Sequence, residues 1–280
     1  MKEHNQENEP DFRKEAGPSS EELWNEDTYS AWTSRFGTPA EAAAKLRKDP
    51  ANKLFPISTY FGEVSGKKIM NLMGSNGMKA VALGLLGAEV TVADFSEANA
   101  RYAADLAEEA GIPLTYIVSD VLNLPEETLN GSYDIVFAEQ GIVHYFTDLR
   151  LFMNTAYRLL APGGIFVLRD FHPITTKLIS SKGSTAKVRK HKVTGDYFDT
   201  GLEEKKVSYS KYLPTSTSGT AGDGGQQSVV YWRRWTLGEI VTAAAGSGLI
   251  INKLVEEPNL SSDVYDKGIP KTFTLVAGKS

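Results

Sequence analysis

No cysteine occurs in this 280-residue chain. Disulfides, thiolate zinc sites, cysteine nucleophiles and iron–sulfur clusters are thereby excluded. There is no excess of positive charge either. The net charge of −5 gives no encouragement for a nucleic-acid partner. No apolar run approaches the ~18 residues of a membrane span, so no membrane partner is expected. The first residues, MKEHNQENEPDFRKEAG, are polar and acidic and lack the apolar core of a signal peptide. A cytoplasmic soluble protein is the default expectation. Internal repeats are absent.

What is present is an ordinary hydrophobic content of 41%, and 280 residues are enough for one large α/β domain with an insertion. The chain is organised around residues 67–95, KKIMNLMGSNGMKAVALGLLGAEVTVADF. This stretch reads as strand, tight turn, helix, tight turn, strand. Residues 69–73 form a short apolar run. Gly74-Ser75-Asn76-Gly77 is turn chemistry, since Gly takes positive φ freely and Asn tolerates it. Residues 78–86 are good helix formers, stopped by Gly87. Residues 90–93 are β-branched and apolar, as in a strand covered on both faces. Asp94 sits at that strand's carboxyl end, where an open parallel sheet binds ligands and an acid can accept from ribose hydroxyls. The stretch proposes an adenosine-containing cofactor. A dinucleotide fingerprint would need a glycine at position 76, which is Asn76.

Residues 1–19 read as a disordered tail, because they offer almost nothing to bury. A helical flap over 20–66 follows. It has a helix through Trp24, Tyr29 and Trp32 and a second opening at Thr38-Pro39-Ala40-Glu41, with a Thr cap, Pro in the first turn and Glu at the capping-box position. Beyond the central stretch, Ser96 caps a helix over 97–110 closed by Gly111. Strands are predicted over 114–118, 133–138 and 165–168, with a helix over 148–160 before the turn Ala161-Pro162-Gly163-Gly164. Strand alternating with helix means a parallel sheet. The cofactor core spans 67–180 and resumes at 231–280, with a capping box at Thr236-Leu237-Gly238-Glu239 and two strands, 249–255 and 272–277, read as an antiparallel pair. Residues 181–230 break the rhythm. Alternation near 207–212 and 229–232 reads as an inserted antiparallel hairpin or substrate lid, its tip around 216–225. Its basic run of Lys182, Lys187, Arg189, Lys190 and Lys192 reads as a solvated loop or as a grip on an anionic substrate.

In this order of elements the chain resembles a class I S-adenosylmethionine-dependent methyltransferase of the bacterial small-molecule branch. Four places carry the resemblance: residues 71–77 at the family's glycine turn, Asp94, Asp120 at the end of the third strand, and RLLAPGG (158–164) before the fifth. The resemblance implies a Rossmann-like, seven-stranded, mostly parallel sheet with helices on both faces and an antiparallel last strand. It implies S-adenosyl-L-methionine as cofactor and a small molecule as methyl acceptor. The cofactor would be held by Asn71, Gly74, Ser75, Asn76 and Gly77, by Asp94 and Phe95 at the ribose, by Asp120 and Val121 at the adenine, by Glu139 and Gln140, and by Tyr29 from the flap. The turn departs from the family pattern: Asn71 replaces the family's acid, and Met73 and Ser75 replace two glycines. Glu139 is then the candidate for holding the methionine ammonium, and the N–H groups of Gly74 and Ser75 for its carboxylate.

Methyl transfer is an in-line displacement, for which a protein supplies proximity, dryness and sometimes a base. The candidate bases are His144, in EQGIVHYF, and His172, in RDFHP, because imidazole titrates near neutrality. No metal site is expected. The place of the nucleic-acid signature Asn/Asp-Pro-Pro-Tyr reads Glu139-Gln140-Gly141-Ile142, which argues against base methylation. A nicotinamide oxidoreductase on a related fold and a non-catalytic cofactor-binding protein are the alternatives; the Tyr-x-x-x-Lys pair of short-chain dehydrogenases is absent. A monomer or homodimer is expected.

Overall fold

The computed structural model describes residues 28–181, 191–206, 229–258 and 268–280. The predicted tail (1–19), Trp24, the basic residues 182–190, Tyr209, Tyr212 and the hairpin tip around 216–225 lie outside the described residues.

Seven strands form one sheet in the order β10-β11-β5-β4-β1-β2-β3. They are β1 (Lys68–Leu72), β2 (Glu89–Asp94), β3 (Thr115–Val118), β4 (Tyr133–Glu139), β5 (Leu160–Phe171), β10 (Ile250–Pro258) and β11 (Pro270–Gly278). Strands β1 to β5 pair in parallel, while β11 is antiparallel to both β5 and β10. The expected Rossmann-like sheet with an antiparallel last strand is therefore present. Strand order reverses between β1 and β4, so the crevice outside their carboxyl ends is the place for a ligand. Their side chains make this sheet a core layer: β1 and β2 are buried after their first residue, as strands covered on both faces must be.

Helices cover the two faces. On one lie α1 (Thr28–Phe36), α2 (Pro39–Lys48), α3 (Pro50–Leu54), α4 (Met78–Leu85) and α5 (Glu97–Ala110), sharing a core with Ile69, Val92 and Phe137. On the other, α6 (Leu149–Leu159) and α7 (Leu237–Gly246) pack with Met70, Val136 and Phe166. Both predicted capping boxes form, Thr38 with Glu41 and Thr236 with Glu239. Each satisfies two otherwise orphaned N–H groups and is worth about 1 kcal/mol.

Two differences from the sequence reading have local causes. Strand β5 begins at Leu160 and takes in the Ala161–Gly164 turn, because Leu160 pairs with Tyr133 before a register shift. A Cβ on Gly164 would lie 2.9 Å from the Tyr133 carbonyl oxygen, so only glycine fits there. Among the described residues the insertion carries two short antiparallel strand pairs: β6 (Ile179–Ser181) with β7 (His191–Val193), and β8 (Leu202–Lys206) with β9 (Val229–Arg233).

Candidate active site

The turn after β1 carries positive φ at Met73, Ser75 and Gly77. Gly74 is required by packing, since a Cβ would meet Asn71 Oδ1 at 2.6 Å and Val92 Cγ1 at 2.7 Å. Gly77 starts α4 against α5, where a Cβ would meet that of Ala103 at 2.6 Å. The predicted turn residues Asn71, Gly74, Ser75, Asn76 and Gly77 thus sit together at the carboxyl end of β1. Asn71 is buried, and Asn76 accepts from the Met78 N–H. No hydrogen bond engages the Gly74 or Asn76 N–H among the described residues. Two free donors at the mouth of α4 suit an anion such as a carboxylate.

Asp94 closes this turn from β2. Its Oδ2 accepts the Ser75 N–H at 3.0 Å; its Oδ1 accepts the Ser96 N–H at 3.0 Å and Asn99 Nδ2 at 3.2 Å. Burial raises its pKa, and these donors pull against that shift. The Ser75 N–H, expected to face a ligand, is thus committed to Asp94, and the Tyr116 hydroxyl donates to the Ser75 carbonyl at 2.8 Å. A carboxylate offers about four lone-pair sites. With three in use, one acceptor position remains for a ribose hydroxyl, not the pair expected from sequence. Phe95 follows Asp94 at an intermediate exposure. Asp120 is exposed at the end of β3 and accepts from Leu122 N–H and Asn123 Nδ2, with Val121 buried beside it.

Tyr29 is the outlier. Its hydroxyl donates to Asp105 at 2.6 Å, about two turns into α5 and away from the strand ends. Sequence could not show that α1 lies along α5. Its neighbour Trp32 makes the link to the site, donating to Asn99 Oδ1 at 2.8 Å.

At the end of β4, Glu139 is held between two cations. Lys79 Nζ contacts Oε2, and Arg169 NH1 lies 3.4 Å from Oε1. Arg169 continues to Glu257 at 3.0 Å and to the Thr272 hydroxyl at 3.1 Å. Burial, with Lys53 and Arg169 nearby, presses the Lys79 ammonium down to about 7. Sequence reading missed Lys79 and Arg169; the available signal was Lys79's place two residues after Gly77.

Gln140, exposed, and Gly141 both take positive φ and turn the chain back. Asp170, buried at the end of β5, secures that turn by accepting four N–H groups: Gly141 and Phe171 at 2.7 Å, Ile142 at 2.8 Å and Val143 at 2.9 Å. The 3₁₀ turn Val143–Tyr145 therefore holds His144 over the strand ends. The His144 ring lies 4.3 Å from Tyr145 and 4.1 Å from Trp232 of β9, centroid to centroid. Its Nε2 is buried with no hydrogen-bond partner among the described residues. Burial lowers its pKa, Asp170 opposing and Arg234 assisting, so the ring is neutral at pH 7 and able to accept a proton.

His172 is different. Its Nε2 lies 2.6 Å from Glu256 and its Nδ1 accepts the Ile174 N–H at 3.1 Å. The Nδ1 acceptor role fixes the tautomer with Nε2–H donating to Glu256. Neither nitrogen remains for a substrate, so the base role expected for His172 does not fit this geometry. No group of three or more His, Asp or Glu suits a metal ion among the described residues.

Residues 73–168 match the family model of the methyltransferase domain. The matched segment runs from the glycine turn to β5, the crevice described above. A demethylmenaquinone methyltransferase of Thermus thermophilus is 34% identical over 113 residues, 40% of this chain and 50% of that protein. A ubiquinone biosynthesis O-methyltransferase of a Caulobacter species is 30% identical over 117 residues, 42% of this chain and 46% of that protein. The chain thus spans about half the length of these relatives. The fold is that of an S-adenosylmethionine-dependent methyltransferase from Mesorhizobium loti, with a TM-score of 0.57 at 21% identity over 81% of this chain and 97% of that one. It is shared with magnesium protoporphyrin IX methyltransferase from Synechocystis with bound S-adenosylhomocysteine, with a TM-score of 0.54 at 14% identity over 93% and 98%. The resemblance to class I S-adenosylmethionine-dependent methyltransferases read from the sequence therefore holds.

Proposed function

We propose that this protein is an S-adenosylmethionine-dependent methyltransferase acting on a small hydroxyl-bearing molecule, with His144 as general base. The observation that carries the reading is the coincidence of the family-matched segment with the strand-end crevice. The site residues fit the cofactor. Gly74 and Asn76 would offer N–H donors to its carboxylate, Glu139 would take its ammonium, and Asp94 would give its remaining acceptor to a ribose hydroxyl. Asp120 and Val121, at the β3 end, would meet the adenine, and Phe95 the ribose.

When bound, S-adenosylmethionine supplies an electrophilic methyl group on a sulfonium. The chain's own work is to bind, exclude water and take a proton. His144 Nε2 accepts the hydroxyl proton as the oxygen attacks, and the Asp170-held turn keeps the ring in place. Trp232, on β9 at the boundary where the insertion over 181–230 rejoins the core, covers that ring, which supports the reading of the insertion as a substrate lid. The relative named as a ubiquinone biosynthesis O-methyltransferase favours a hydroxyl acceptor. No helix among the described residues is long and apolar enough to cross a membrane. A cytoplasmic location, where the cofactor is made, is part of the proposal, as are a monomer or homodimer and the lack of a nucleic-acid partner.

The test is calorimetric titration of the full chain with S-adenosylhomocysteine and with NADH. Methyl-labelled cofactor is then incubated with a panel of catechols and hydroquinones. Micromolar binding of S-adenosylhomocysteine with labelled product supports the reading. Binding of NADH alone, or of neither, rejects it.

A further inference from the structure

Lys79 stands in the first turn of α4, two residues beyond the glycine turn, and puts its ammonium on Glu139 at the end of β4. The pair spans the crevice where strand order reverses between β1 and β4. We propose that Lys79 occupies, in the cofactor-free protein, the position on Glu139 that the methionine ammonium takes on binding, so that cofactor entry displaces Lys79. The inference rests on the function proposed above.

Three observations carry it. First, Asn71 leaves the end of β1 without a charge. The carboxylates of Asp94 and Asp170 are taken up by three and four N–H donors. Of these three strand-end acids, Glu139 is the one whose partners are cations, and a lysine ammonium and an α-ammonium present the same three donors.

Second, the members differ in freedom. Glu139 and Arg169 have side chains only 5% and 6% exposed, and Arg169 is tied to Glu257 and Thr272. Lys79 is 26% exposed on a flexible stem, with no other partner among the described residues. It is the member that can leave.

Third, charge balance requires a replacement. Without Lys79, Arg169 alone would have to balance both Glu139 and Glu257, and the buried Glu139 Oε2 would be left without a cation, which burial disfavours. Lys79 satisfies that need until a ligand does. Once Glu139 is taken, the charges left facing Lys79 among the described residues are Arg169 and, from α3, Lys53, with Arg35 behind Lys53. All are positive. They and burial then expel its proton or send the amine to solvent.

The test uses the full chain with S-adenosylhomocysteine as probe. In calorimetric titration at pH 7, Lys79→Met should bind about tenfold tighter than the parent. Lys79→Arg, a permanent cation, should bind no tighter than the parent. The parent also gives a reading that needs no variant: acetylation of Lys79 by an amine-reactive ester, followed by mass spectrometry, should rise when S-adenosylhomocysteine is present. If Lys79 instead holds Glu139 in place or grips the cofactor carboxylate, Lys79→Met binds more weakly and Lys79 stays protected, and the displacement is overturned while the proposed function stands. A parent that fails to bind S-adenosylhomocysteine overturns both. Should Lys79→Met not fold, the acetylation result on the parent decides.

Discussion

Ser75 donates its backbone N–H to Asp94 Oδ2 at 3.0 Å, so the end of β2 holds the shape of the turn that follows β1. Asp94 is therefore a brace as well as the acid proposed to meet the cofactor. The brace extends outward, through Asn99 to Trp32 of α1. A helix far from the crevice in sequence thus stabilises the turn within it.

Asp94→Ala is expected to weaken S-adenosylhomocysteine binding by more than its one free acceptor implies. That acceptor is worth about 1.5–3 kcal/mol as a charge-assisted bond, or roughly 10- to 150-fold. Loss of the Ser75 and Asn99 contacts adds a fall in stability. Trp32→Phe removes only the outer link and should cost threefold or less in affinity. Calorimetry on the folded variants separates the two; equal losses would reject the division of labour.

Asp170→Ala is expected to unfold at lower urea concentration by about 3–5 kcal/mol, because four N–H groups lose one buried acceptor. In whatever remains folded, turnover should fall while S-adenosylhomocysteine affinity changes less than threefold, since the turn it holds carries His144 and not the glycine turn. Unchanged turnover would show that His144 needs no such support.

The two histidines should part company. His144→Gln is expected to reduce turnover by ~10²-fold or more, as for loss of a general base. His172→Gln should leave turnover within about threefold and reduce stability by about 1–3 kcal/mol, because its ring bonds Glu256 and Ile174. Comparable turnover in both variants would refute the assignment.

A pH dependence follows from the lowered pKa of His144. The native ring binds its proton less readily than the unfolded one. Stability is therefore full above the ordinary value near 6.5 and is lost as pH falls below it towards the native value. The acid limb of the rate profile should likewise lie below 6.5. His144→Gln should remove this contribution to the slope of urea midpoint against pH over that window; an unchanged slope would place the titration elsewhere.

Trp232→Ala is expected to raise the KM of the acceptor and reduce kcat with cofactor affinity preserved, because its ring covers His144 and not the glycine turn. Steady-state kinetics with calorimetry on the same variant would show this. A selective loss of cofactor binding would contradict it.

The sequence by itself determined the local parts of this protein. The capping boxes at Thr38 and Thr236, the helix over Glu97–Ala110 with its Ser96 and Gly111 ends, and the glycine turn were legible because each depends on residues within one or two turns of chain. The alternation of strand and helix then fixed the parallel sheet, and Asp94 and His144 could be placed at strand ends by position alone. Tertiary structure decided what each group touches. His172 meets Glu256 84 positions away, Tyr29 meets Asp105, Lys79 reaches Glu139, and Trp232 comes over His144 from a hairpin. Such pairs depend on register, helix placement and side-chain direction, which no local pattern encodes. They turned one predicted base into a packed histidine, tied the Tyr29 hydroxyl to Asp105 of α5, and placed a lysine on the acid expected to meet the cofactor.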